Sequence, residues 1–151
     1  MSSTSVRRIQ KELSNLMTSP PKGITVVSDE DNMLLWRVTI CGPPKTPYSR
    51  GRFVVTVEFG KEFPFKPPTV KFQTRTYHPN IDSDGNICIS LLKSEHWKPA
   101  TRMDHVLTEV FNLLAKPNLE EPLVTSIAEQ YQSNRSAYNL KAEEYVQKYA
   151  M

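Results

Sequence analysis

MLLWRVTIC, Met33 to Cys41, and FVVTVEF, Phe53 to Phe59, decide the fold class of this chain. Both runs are short, rich in β-branched and aromatic side chains, and alternating or continuously apolar, which suits a pleated, half-buried surface. Two lesser pieces of the same character flank them, Thr25 to Val27 before and Thr69 to Gln73 after. Turn residues and prolines separate the four. An antiparallel four-stranded meander is the economical arrangement.

Outward from the sheet the periodicity changes. Ahead of it, Ser5 is positioned to cap a helix whose apolar residues Val6, Ile9, Leu13 and Leu16 recur at helical spacing until Pro20-Pro21 stops it. Its other face carries Arg7, Arg8 and Lys11. Behind the sheet, Met103, Val106, Leu107, Val110, Leu113 and Leu114 form the wide apolar stripe of a central helix packed on the strands, ended by Lys116-Pro117. A short helix follows around Leu123 to Gln130. A last one is capped near Ser133 or Asn134 and turns Tyr138, Ala142, Tyr145 and Tyr149 to one face, where tyrosines serve packing. Helix, strands, then helices is the order of an α+β sandwich.

The chain's 151 residues fit a single domain spanning 1–151, without repeats or low-complexity linkers. A net charge of +3 is mild, and no basic block interleaves with aromatics, so nucleic acid is not an expected partner. The start from Met1 to Thr4 is polar and no apolar run approaches the roughly 18 residues a membrane span needs, so a soluble protein of the cytoplasm and/or nucleus is expected. Two cysteines make no disulfide framework, and His78, His96 and His105 have no partners at metal-ligand spacing, so no metal is expected. Cys41 lies in the apolar run Val38 to Cys41 and reads as a buried strand cysteine. Cys88 follows a turn instead, which leaves a structural and a functional thiol both open.

Around Cys88 the sequence is YHPNIDSDGNICISLL, Tyr77 to Leu92. Pro79 fixes its own φ and keeps His78 out of the helical region, while Asp84-Gly85 supplies a tight turn that tolerates positive φ. A rigid irregular loop is expected, bringing the Cys88 thiol near the Asn80 amide and the His78 imidazole. With Gly85, Ile87, Leu91, Trp97 and Pro99, this arrangement resembles the active-site signature of the ubiquitin-conjugating enzymes. The resemblance extends over essentially the whole chain: Pro20-Pro21, Trp36, Gly42-Pro43, Pro47-Tyr48, Gly51, the run Phe63 to Pro68 and the closing Tyr149-Ala150 all take part. It implies that family's fold, with no long extension at either end.

The same resemblance implies a chemistry. Cys88 would accept ubiquitin's C-terminal acyl group from the activating enzyme and pass it to a substrate lysine or a ligase cysteine. Because a thioester is already activated, that task needs positioning and charge stabilisation rather than a strong base. Asn80 would donate to the developing oxyanion or hold the loop that does so, and His78 would be structural. A thiol protease is disfavoured, since it needs an imidazole placed to deprotonate the thiol. Tyr77 and Glu121 match the aromatic and acidic groups beside an acceptor lysine, whereas Ser90 stands where lysine-active members often carry aspartate.

Partners implied by the likeness are ubiquitin, its activating enzyme, RING, HECT or RING-between-RING ligases and protein substrates. Arg7, Arg8 and Lys11 match residues that meet the activating enzyme and ligases, and Pro64, Phe65, Lys98, Pro99 and Ala100 match the ligase-gripping loops. Thr108 and Asn118 match contacts to the donor ubiquitin, and Thr25 matches a site of noncovalent ubiquitin binding. No cofactor is expected, because ATP and magnesium belong to the activating enzyme. The alternatives are a conjugating enzyme for another ubiquitin-like modifier and a non-catalytic module of the same fold.

Overall fold

The structure, a computed structural model, describes residues 2–151. Helix α1 (Ser3–Thr18) leads into strands β1 (Ile24–Ser28), β2 (Leu35–Cys41), β3 (Arg52–Glu58) and β4 (Thr69–Phe72). After a 3₁₀ turn at Ser90–Leu92 come α2 (Met103–Ala115), α3 (Thr125–Ser133) and α4 (Arg135–Tyr149). The sheet runs β1-β2-β3-β4 with every pairing antiparallel, so the α+β meander expected from the strand pattern is what forms.

Alternation sets the core. Trp36, Val38 and Ile40 of β2 lie opposite Val57, Val55 and Phe53 of β3, and all six are fully buried. Each such side chain contributes about 1.5–3 kcal/mol on leaving water. Helix α2 lays Met103, Val106, Leu107, Val110, Leu113 and Leu114 into the same cluster. Strand β2 begins at Leu35 rather than Met33, because Asn32 holds a turn there: its side chain accepts from the Leu34 N–H at 3.0 Å and its carbonyl from the Leu35 N–H at 3.0 Å.

Three local expectations are corrected. The cap of α1 is Ser2, whose hydroxyl accepts from the Ser5 N–H at 3.1 Å. Ser5 is instead buried and donates its hydroxyl to the Phe63 carbonyl at 2.9 Å, tying the helix to the loop after β3. Cys41 is exposed, since the pleat that sends Ile40 inward turns its neighbour outward. Helix α3 starts at Thr125 and continues to Ser133, past the expected Gln130. Asn134 then caps α4, accepting from the Ala137 N–H at 3.2 Å. On α4, Tyr138, Ala142 and Val146 are buried at i, i+4, i+8 spacing, while Tyr145 and Tyr149 meet edge to face at 5.5 Å nearer the surface.

Candidate active site

The loop beyond β4 owes its shape to its own side chains and two backbone crossings. Asp82 accepts from the Asp84 and Asn86 N–H groups at 3.0 and 2.9 Å and from the Asn86 amide at 3.0 Å. Gly85 then turns with φ +85°. Its carbonyl accepts from the Phe72 N–H at 2.9 Å, and a Cβ there would stand 2.0 Å from the Phe72 oxygen. No other residue type fits so close a crossing. The returning chain brings the Cys88 N–H to the Asn80 carbonyl at 3.3 Å.

His78 is wholly buried and both ring nitrogens are engaged. Nε2 donates to the Leu113 carbonyl of α2 at 2.7 Å, and Nδ1 accepts from the Asn80 N–H at 2.9 Å. Burial outweighs the helix carbonyl and pushes its pKa down from 6.5 to about 4, so the ring is neutral near pH 7. A neutral imidazole with both nitrogens committed to backbone is not available as a base for Cys88.

Asn80 is also wholly buried. Its Nδ2 donates to the Asn118 carbonyl at 2.8 Å and to the Glu121 carbonyl at 3.3 Å, while Oδ1 accepts from the Asn118 N–H at 2.8 Å. Both amide hydrogens therefore point at the loop joining α2 to α3. That loop is held a second time by Pro79, whose carbonyl accepts from the Leu123 and Val124 N–H groups at 2.9 and 3.0 Å.

The half-buried Cys88 faces this suspended loop, its Sγ 4.0 Å from Oε2 of Glu121. The same carboxylate oxygen is ion-paired with Nζ of Lys93. On its other side the thiol opens into a shallow cleft of about 240 Å³, bordered by Ser90, by Glu109, Asn112 and Lys116 of α2 and its end, and by Asn118. Thus the structure brings Cys88, Glu121, Ser90 and Asn118 together. Thr108, though exposed on α2, does not border that cleft. Tyr77 is engaged elsewhere: its hydroxyl donates to Gln130 of α3 at 2.5 Å, and its ring lies 5.4 Å from that of Tyr145. Among the described residues no cluster of histidine, cysteine and carboxylate side chains could hold a metal, and no helix is long and apolar enough to cross a membrane.

Sequence reasoning missed Lys93, Asp82 and the polar face of α2. Glu109, Asn112 and Lys116 were legible in principle, since they stand at i, i+3, i+7 opposite the apolar stripe. The residues of the two loops expected to meet ligases gather at another place. Phe65 is 78% exposed, and the loop carrying it is pinned by Ser5 and by Trp97, whose indole donates to the Pro64 carbonyl at 2.8 Å. Arg8 reaches over to the Pro99 and Thr101 carbonyls, bringing α1 against the exposed Lys98, Pro99 and Ala100. Arg7 and Lys11 are exposed on α1, and Thr25 is exposed on β1 opposite Thr39.

Fold and site together define an α+β protein whose one loop-borne thiol lies at the rim of a shallow cleft, braced through backbone by a buried histidine and asparagine. The sequence pattern of the ubiquitin-conjugating enzymes matches residues 8–146, and the chain belongs to that family.

Proposed function

We propose that this chain carries ubiquitin as a thioester on Cys88 and discharges it to a lysine or to a ligase cysteine. The observation that carries the reading is the join between thiol and loop: Cys88 lies 4.0 Å from Glu121, whose main chain hangs from the buried amide of Asn80. A carrier thiol needs access and a fixed wall rather than a general base, and such a site supplies both. Asn80 acts as the tie of that wall, since its two donors are spent on the Asn118 and Glu121 carbonyls. The cleft from Cys88 along Glu109 and Asn112 to Asn118 suits the extended tail of the donor.

Discharge uses Glu121 to align an incoming amine beside the sulfur, with Ser90 at the other lip and Tyr77 packed behind on α3 and α4. The amine must lose a proton to react, and an ordinary lysine has a pKa of about 10.4, so direct transfer to lysine quickens as pH rises. Phe65 between Pro64 and Lys66, with Lys98, Pro99 and Ala100, offers a ligase an exposed aromatic anchor at small entropic cost. Arg7 and Lys11 serve the activating enzyme, Thr108 and Asn118 the donor ubiquitin, and Thr25 a second ubiquitin. The chain needs no cofactor, works beside an activating enzyme that consumes ATP and magnesium, and acts in the cytoplasm or nucleus.

The test is side-by-side loading with ubiquitin and with other ubiquitin-like modifiers, each supplied with its own activating enzyme and ATP. A thiol-cleavable adduct with ubiquitin supports the reading. An adduct with another modifier alone transfers the chemistry to that modifier, and no adduct with any of them ends the carrier reading.

A further inference from the structure

Where β3 and β4 meet the end of α4, the outer face of the sheet carries a group of cations that the rest of the chain leaves unanswered. A shallow cleft of about 490 Å³ is lined there by Arg50, Arg52, Val54, Thr74, Tyr149 and Met151, and no aspartate or glutamate borders it. Beside it, Arg75 lays its guanidinium over the rings of Tyr145 and Tyr149 at 5.9 and 5.7 Å, and the Lys148 ammonium lies 5.2 Å from the Tyr149 ring. Arg50, Arg52 and Arg75 are exposed, and among the described residues none of them is ion-paired. Glu143 and Glu144 share a second depression with Arg50, yet neither is paired with it. A lone surface arginine is satisfied by water and carries no argument. Several cations gathered at one corner, on a chain whose net charge is only +3, make a concentrated field.

The corner is also rigid and partly apolar. The Arg52 N–H donates to the Ala150 carbonyl at 2.9 Å, the Val54 N–H to the Thr74 hydroxyl at 2.9 Å, and the Val54 carbonyl accepts from the Gln73 N–H at 2.8 Å. Stacking on tyrosine faces holds the plane of Arg75 and leaves its N–H edge open. Val54, Tyr149 and Met151 are exposed apolar side chains among these cations. We propose that this corner docks an acidic, extended segment of a partner protein, whose carboxylates pair with Arg50, Arg52 and Arg75 and whose apolar side chains cover Val54 and Tyr149. The inference goes beyond the thioester reading and does not rest on it. Charge complementarity selects the occupant, because a guanidinium pairs bidentately with a carboxylate and several such pairs fix register. Nucleic acid fits less well, since the cations occupy one corner and form no stripe for a phosphate backbone to follow. A second ubiquitin at Thr25 is a different proposal: Thr25 lies on β1, two strands from Arg52, in a cross-strand row with Thr39 and Val54 that contains no cation.

The protein is titrated into a fluorescein-labelled peptide of alternating glutamate and leucine, into a matched peptide with lysine for glutamate, and into a single-stranded oligonucleotide, while amide NMR shifts locate the bound probe. The inference expects the glutamate peptide to bind, with the largest shifts at Arg52, Val54, Thr74 and Tyr149, and the lysine peptide not to bind. Arg52→Glu and Arg75→Glu, each shown to be folded by circular dichroism, should weaken binding about tenfold or more, since each removes one close charge pair and adds a like charge. Arg50→Glu carries the same expectation if either fails to fold. Arg37→Glu, on the same sheet face but paired with Asp29 in the native chain, should stay within about twofold of wild type. Absence of binding, equal binding of the lysine peptide, tighter binding of the oligonucleotide, shifts centred elsewhere, or equal weakening by Arg37→Glu overturns the inference. Ubiquitin is the last probe: if Arg52→Glu weakens its binding as much as that of the peptide, the face belongs to ubiquitin and the inference falls. Loading of Cys88 should be unchanged in all of these variants, so each of those failures leaves the thioester reading standing.

Discussion

Replacing Asn80 with alanine separates the two tasks an asparagine in this position can have. Its side chain makes three hydrogen bonds to the loop between α2 and α3, at 2.8, 3.3 and 2.8 Å, and none to Cys88. At about 1 kcal/mol net for a neutral hydrogen bond, and with exposed loop partners free to recruit water in its absence, Asn80→Ala should cost about 2–3 kcal/mol. For a domain of this size that is a fall in Tm of roughly 4–12 °C. The same substitution should slow ubiquitin discharge, because Glu121 loses the support of its carbonyl. Urea unfolding gives the free energy, and hydrogen exchange at Asn118, Leu123 and Val124 shows whether the loop has come loose. An unchanged Tm and unchanged exchange, with discharge down 10²- to 10³-fold, is the signature of a lost oxyanion donor. That result would refute the loop-tie reading.

Other perturbations probe the same scaffold. Because burial holds the folded pKa of His78 near 4 against 6.5 for a free ring, the unfolded chain takes up a proton that the folded chain refuses as pH falls between those values. Stability should be unaffected by this group above pH 6.5 and should decline by at most ~3 kcal/mol on the way to pH 4; an NMR titration placing His78 near 6.5 would contradict it. Gly85→Ala must hold an L-residue at φ +85° and collide with the Phe72 oxygen, so urea unfolding should report a loss of at least ~2 kcal/mol. Phe65→Ala, at a side chain 78% exposed, should leave stability within about 0.5 kcal/mol, yet weaken ligase binding at least tenfold by calorimetry.

Much of the fold was legible because strands and helices write their burial as local periods. The pairs Trp36 with Val57 and Ile40 with Phe53 follow from alternation once a meander is assumed. Cys41 shows the converse: an apolar run suggests burial throughout, whereas the pleat exposes every second residue. Ser5 looks like a cap locally, and only the Phe63 carbonyl, far along the chain, reveals its other use.

The site was legible as residue types and less so as contacts. Cys88, Asn80 and Glu121 could be named from the sequence. That Asn80 spends its amide on Asn118 and Glu121 depends on how a distant loop is hung, which no local spacing encodes. The Lys93 to Glu121 pair is of the same kind, joining the turn after the thiol to a loop beyond α2. Asp82 left a readable trace in its spacing to Gly85, as an aspartate opening a turn.

The most direct test of the account asks which atom carries the acyl group. Cys88→Ser and Cys41→Ser are loaded beside wild type and their adducts challenged with reducing thiol and with hydroxide. The account predicts that Cys41→Ser behaves as wild type, with an adduct cleaved by thiol, while Cys88→Ser yields an oxyester that resists thiol and falls to hydroxide. A thiol-cleavable adduct persisting in Cys88→Ser would place the carrier elsewhere and contradict it.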